Sequence, residues 1–217
     1  MILQVGAPSL RSRGGGSWAQ RYNPAMPSHL RRYDEPGHVH FLTVSCYHRL
    51  PFFNEPATRN IVVHCMDESR RRLGFRWIGY VIMPEHVHWL CYPQLPGAET
   101  LIPISRILQS VKTSVGMRVK EALRTVWARR RTLGHPGLDR WATSSQTNKP
   151  IWTTRGIDVN VTEYQKLLQK LDYCHANPVK RGLAERAEDW QWSSYRFYQF
   201  ADASILAMDW DGSWPIV

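Results

Sequence analysis

Two strand-like runs separated by only two residues constrain this chain more than any other feature. Phe75–Met83 and His86–Tyr92 are rich in β-branched and aromatic residues, and only Pro84-Glu85 lies between them. So short a link holds them as adjacent strands or as one bent ribbon. The other elements group around this unit. His38–Tyr47, bounded by Pro36-Gly37 and Pro51, reads as a strand. Residues 56–72 place Ile61, Val62, Cys65 and Met66 at helical spacing and end in Arg70, Arg71 and Arg72, which suits a helix C-terminus. After the Pro96-Gly97 turn, Ile104, Ile107, Leu108, Val111 and Val115 begin the strongest amphipathic helix, whose polar side carries Lys112, Arg118, Lys120 and Arg124. Residues 132–150 read as a surface loop and Ile151–Thr154 as a brief strand. Thr162 with Gln165 makes a capping box for a helix that runs to about Asn177 and is stopped by Pro178. The order β, α, β, β, α, β, α predicts an α+β domain, with helices packed on one face of a mainly antiparallel sheet.

A chain of 217 residues suits one domain with elaborations. Residues 1–30 hold Gly14, Gly15 and Gly16, several Ser and Pro, and no acidic side chain, so a mostly disordered basic arm is expected there. The domain is placed at 31–200, and 201–217 forms a C-terminal tail. At 43% apolar and 21% charged residues, the composition is neither that of a disordered chain nor that of a membrane protein. No apolar run approaches the ~20 residues needed to cross a bilayer, and the N-terminus does not read as a signal peptide. The expectation is a cytoplasmic protein with no membrane partner. Cys46, Cys65, Cys91 and Cys174 are widely spaced, which argues against a zinc ribbon or disulfide framework and for small buried residues.

The formal net charge is +10, and the positive charge comes in blocks: Arg70–Arg72, then Arg118 to Arg131, then Lys180, Arg181 and Arg186. Blocks of this kind attract phosphate backbones and release counterions, although solvated helix faces produce them too.

Two groups of residues carry chemistry. In His86-Val87-His88 the strand period points both imidazoles to one face, where they can grip one divalent cation. Two partly buried histidines bonded to backbone would look the same. His38-Val39-His40 has identical spacing and no assigned role, so spacing alone does not decide. The second group is Tyr173-Cys174-His175-Ala176-Asn177. Tyr173 and Asn177 share a helical face, the first a possible nucleophile and the second a carbonyl ligand. Equally, Tyr173 can pack against Leu171, and Asn177 can cap the helix. His48, His64, His135 and His175 have no functional case. Glu85 reads as a turn residue ahead of a support for the histidine pair, and the Trp190–Phe200 aromatics, Trp192 and Tyr195 among them, as core packing ahead of base stacking.

Taken together, Met83-Pro84-Glu85-His86-Val87-His88, then Tyr173-x-x-x-Asn177-Pro178-Val179-Lys180-Arg181-Gly182-Leu183, then Trp190-x-Trp192-Ser193-Ser194-Tyr195, resemble the single-tyrosine HUH transposases, and within them the REP-associated tyrosine transposases. The likeness runs from about Arg31 to Phe200. It implies a ferredoxin-like, RRM-like α+β domain whose sheet bears the histidine pair, with the tyrosine helix against it. It implies Mg²⁺ or Mn²⁺ held by His86, His88 and Asn177, and Tyr173 as the nucleophile of a 5′-phosphotyrosine intermediate. The transposases of insertion sequences carry Tyr-x-x-x-Gln at this place; Asn177 follows the REP-associated form. The implied partner is single-stranded or hairpin DNA, gripped by Lys112, Arg118, Lys120, Arg124, Lys180 and Arg181. The REP-associated form is expected to act as a monomer, whereas mobile-element relatives exchange the tyrosine helix in a dimer. Two other readings stay open: a water-using metal-dependent nuclease, and a domesticated, non-catalytic hairpin-binding protein.

Overall fold

The computed structural model describes residues 34–132 and 150–214. The arm 1–30, nearly all of the loop 132–150, His135 and residues 215–217 lie outside that range. The hairpin that opens the sequence reading is formed by β2 (Arg76–Met83) and β3 (His86–Tyr92), paired antiparallel with Met83 opposite His86. β1 (Val39–Ser45) lies along the other side of β3, and β4 (Ile157–Val161) along the far side of β1, so the strand order is β2-β3-β1-β4 and every pairing is antiparallel. That order, reached by a β-α-β-β-α-β path, is the ferredoxin-like arrangement. Every residue of β2 and β3 is buried, as expected of strands covered on both faces.

α1 (Pro56–Leu73) begins with Pro at its first turn and ends at Gly74, whose left-handed φ of 78° lets its N–H return to the Arg70 carbonyl. α2 (Ile104–Thr132) gains its first cap from a distance, because Asp34 accepts a hydrogen bond from the Ile104 N–H at 2.9 Å. Both helices cover one face of the sheet. Trp77 donates its indole N–H to the Met66 carbonyl, and Ser69 and Arg72 of α1 meet Ser110 of α2. α3 (Tyr164–Lys180) covers the opposite face, where Leu171 lies over Gly79. A Cβ at Gly79 would come within 2.4 Å of Leu171 Cδ1, so only glycine lets the helix settle this close. The expectation that the helices share one face is therefore corrected: the sheet lies between α1/α2 and α3.

Three local expectations also change. The fourth strand is Ile157–Val161, not Ile151–Thr154, where Trp152 makes a single bridge to Cys46. Asp158 and Asn160, poor strand formers, hid it, and both pair with histidines near β1. Glu163, not Thr162, precedes α3, and no side chain caps it. Pro178 does not stop α3, which runs on to Lys180. So near the C-terminus a missing N–H removes only one helical bond, and the Leu183 N–H closes on the Pro178 carbonyl at 2.9 Å.

The outer edge of β2 is covered by the chain after α3. Ile82 and Tyr80 exchange backbone bonds with Trp192 and Ser194, and the Asp209 N–H reaches the Trp77 carbonyl. α4 (Tyr195–Phe200) follows, and Leu206, Met208 and Trp210 are buried beyond it. The segment after residue 200 thus contributes to the core. The four cysteines are free and buried. Among the described residues no helix is long and apolar enough to cross a membrane.

Candidate active site

Strand alternation places Phe41 and Thr43 of β1 and His86 and His88 of β3 on the face that α3 covers, with Thr43 directly opposite His88. The two histidines are buried, and their Nε2 atoms lie 2.9 Å apart. Each Nδ1 has its own oxygen: Thr43 Oγ1 at 2.8 Å for His88, Glu85 Oε1 at 3.1 Å for His86. Rings tied at Nδ1 can turn their Nε2 lone pairs toward one point. Burial, followed by the nearby charges of His86, Arg49 and Lys170, pushes the His88 pKa well below the usual histidine value, so its ring is neutral.

α3 delivers Tyr173 to the same place. Its ring meets the His88 ring edge-on with centroids 5.2 Å apart, and Phe41, stacked on His88, supports both. Tyr173 nevertheless stays 38% exposed, so its hydroxyl can reach a substrate. Asn177, one turn on, is buried. His175 turns away, bonds Ser194 Oγ at 2.9 Å, and has its pKa lowered to about 3 by burial, which marks a neutral core histidine.

Glu85 is more than a turn residue. Its Oε1 faces His86 Nδ1 at 3.1 Å, Arg181 at 2.9 Å and Arg49 at 3.2 Å. The hydrogen bond from His86 is the main reason its pKa falls to about 2; burial opposes this and Arg181 adds to it. Lys180 stands 6.0 Å from the Tyr173 ring centre and Lys170 4.8 Å from that of Phe41.

The residues present fit a divalent cation. Two imidazole nitrogens 2.9 Å apart have the spacing of adjacent ligands on one ion, which at bond lengths near ~2.1 Å and a right angle is about 3 Å. Imidazole donors favour Mn²⁺ over the harder Mg²⁺. Among the described residues no group of three His, Cys, Asp or Glu side chains completes such a site, so any third protein ligand is of another kind, as an amide oxygen would be.

The basic residues separate into two sets. Lys180 and Arg181 border the site. Lys112, Arg118, Lys120 and Arg124 belong to α2, behind the sheet. There Lys112 donates to the Thr153 carbonyl, Arg118 pairs with Glu68 at 2.7 Å and Arg124 with Glu121 at 3.5 Å. Lys112 also borders a cavity of about 310 Å³ with Ser105, Gln109, Thr113 and Thr154. Trp192 is buried, with Arg59 4.2 Å from its ring centre, in agreement with core packing. Thr43, Phe41, Arg49 and Lys170 were not singled out from sequence. For Thr43 and Phe41 the signal is strand register, which no short motif contains; Arg49 and Lys170 arrive from a turn and from α3.

No protein-family model matches the chain. It is 25% identical over 193 residues to a Haemophilus influenzae protein provisionally named REP-associated tyrosine transposase, across 86% of this chain and 94% of that one. Among solved structures, that of a REP-associated tyrosine transposase bound to a REP hairpin aligns with a TM-score of 0.57 at 21% identity, covering 85% of this chain and 91% of the other. The structural likeness establishes the shared fold.

Proposed function

We propose that this chain, which resembles the REP-associated tyrosine transposases in sequence and in fold, cleaves and rejoins single-stranded hairpin DNA through a 5′-phosphotyrosine. One observation carries the reading: an exposed tyrosine lies edge-on, 5.2 Å between ring centres, to one of two histidines whose Nε2 atoms converge. His86 and His88, with the Asn177 carbonyl oxygen, would hold Mn²⁺ or Mg²⁺, which acts when bound as a Lewis acid on the scissile phosphate and its leaving oxygen.

The chain's own groups do the rest. Tyr173 Oη attacks phosphorus; the new O–P bond forms as the bond to the 3′-oxygen breaks. The phenol gives up its proton, and the departing 3′-oxygen takes one up to become a hydroxyl. Attack by a second 3′-hydroxyl reverses these changes and restores Tyr173, so no external energy source is needed. Thr43 and Glu85 hold the two imidazoles by Nδ1 throughout. The Lys180 ammonium, on the same helix, favours negative charge developing on the phenol oxygen. Lys180 and Arg181 contact the DNA backbone beside the nucleophile. The α2 residues Lys112, Arg118, Lys120 and Arg124 are assigned to a separate duplex or hairpin surface behind the sheet.

The test incubates the protein with single-stranded hairpins and Mn²⁺ and looks for a Tyr173-linked adduct on denaturing gels. A Tyr173→Phe protein that cleaves as fast as wild type overturns the reading and leaves a water-using nuclease. A wild type that binds hairpins and never cleaves leaves a binding protein.

A further inference from the structure

Beside the histidine pair lies a polar cluster in which Arg49, so far without a role, joins Arg181 on Glu85. Glu85 draws Arg49 from the turn after β1 and Arg181 from the end of α3 onto a single oxygen, at 3.2 and 2.9 Å. Their side chains remain 59% and 47% exposed, while that of Glu85 is 9% exposed. A guanidinium has five N–H donors in a flat fork, and the contact to Glu85 occupies few of them. The outward donors of two arginines therefore face solvent side by side at the rim of the site.

The backbone supports this placement. His48 and Arg49 both have left-handed φ, 50° and 53°, which side chains other than glycine, Asn and Asp rarely adopt. The turn is held by Arg49 N–H to the Cys46 carbonyl and Leu50 N–H to the Tyr47 carbonyl. Arg49 thus leaves the chain from a conformation that favours other residues, and its head group goes to the site. The local charge suits an anionic ligand. Arg49, Arg181, Lys170 and Lys180 surround the rings of His88, Phe41 and Tyr173, with the one buried carboxylate of Glu85 among them.

We propose that Arg49 and Arg181, gathered by Glu85, form a clamp for a backbone phosphate next to the scissile one. The ligand class is a phosphodiester of single-stranded DNA, and the clamp rests on the reading of this site as DNA-cleaving. Glu85 is the positioning residue: it sets both forks and the His86 ring at once, which ties phosphate placement to the histidine pair.

The experiment uses a fluorescent hairpin with a single-stranded extension, in which each linkage near the cleaved one is replaced in turn by a neutral methylphosphonate. Binding is measured in the Tyr173→Phe background and cleavage with Tyr173 intact. Arg49→Ala is expected to weaken binding roughly tenfold, the order of one charge-assisted hydrogen bond. It should also lower the slope of log affinity against log salt by about 0.7. At one linkage the methylphosphonate alone should cause the same loss, with Arg49→Ala adding nothing to it. Glu85→Gln, which frees the arginines without removing them, should bind at least as tightly as the parent while cleaving roughly tenfold more slowly. A purely structural Glu85 would instead weaken binding in step with its loss of stability. Unchanged affinity and salt slope in Arg49→Ala and Arg181→Ala, with normal melting, overturn the clamp. If the wild-type protein cleaves while these variants match it, the clamp alone fails; if it neither binds nor cleaves any hairpin, the reading of the site fails.

Discussion

Two His-x-His pairs with the same spacing sit near each other in the sheet, and they differ in where their nitrogens point. His38 and His40 direct their rings toward β4. His40 Nδ1 contacts Asp158 at 2.9 Å in full burial, and His38 Nδ1 contacts Asn160 at 2.9 Å. Each ring takes a separate partner, on the face that α1 and α2 cover. His86 and His88, on the other face, are tied from outside by Glu85 and Thr43, and their Nε2 atoms converge. Spacing places two imidazoles on one face; the residues across the strand decide whether they bridge to neighbours or form a ligand pair. Tyr173 is then the third element, and among the described residues only the second pair has a tyrosine ring in contact with it.

The comparison breaks most sharply at the nucleophile. Tyr173→Phe should lose adduct formation and cleavage by about 10³-fold or more while unfolding in urea almost as wild type does, because the lost hydroxyl is on a part-exposed ring. Next come the histidines themselves. His88→Ala should abolish Mn²⁺ binding in calorimetry with a modest loss of stability. His40→Ala should keep Mn²⁺ binding and lose about 3 kcal/mol of stability, since it leaves Asp158 in the core without its imidazole. Equal effects of the two substitutions on metal binding would erase the distinction between the pairs. Thr43→Val removes the oxygen that orients His88 and should weaken Mn²⁺ binding about 10- to 100-fold with little change in melting temperature.

The smallest effect concerns pH. The Glu85 pKa is depressed to about 2, so its stabilisation is complete above the unfolded carboxylate pKa near ~4.3 and fades as pH falls toward 2. Discounted for solvent screening through the exposed arginines, the loss should be about 1–2 kcal/mol. Urea titrations from pH 5 to about 2 should show this component in wild type and not in Glu85→Gln.

Much of this was legible in the chain. The order of elements follows from periodicity and turn residues, and α1, α2 and the β2-β3 hairpin stand close to where their patterns put them. What periodicity does not contain is the side of the sheet a helix will cover. Lys112, Arg118, Lys120 and Arg124 do fall on the helix expected for them, yet that helix lies behind the sheet from Tyr173. β4 escaped because Asp158 and Asn160 oppose strand propensity, and the histidines that pair with them lie far away in the sequence. Within the site, His86, His88 and Tyr173 could be named from motifs. Their supports could not, because Thr43 meets His88 through register and Arg49 meets Glu85 through a left-handed turn.

The cover over the β2 edge bears on how this protein can be handled. Trimming at Phe200, where the sequence pattern places the end of the domain, would remove Asp209, which accepts from both the Trp77 N–H and the Arg70 guanidinium. It would also strip Leu206, Met208 and Trp210 from the core. The shortened chain would keep the Trp192 and Ser194 cover but uncover the Trp77 end of the β2 edge, and an unpaired edge is a template for aggregation. Expression boundaries for crystallisation or assay should therefore extend beyond Trp210.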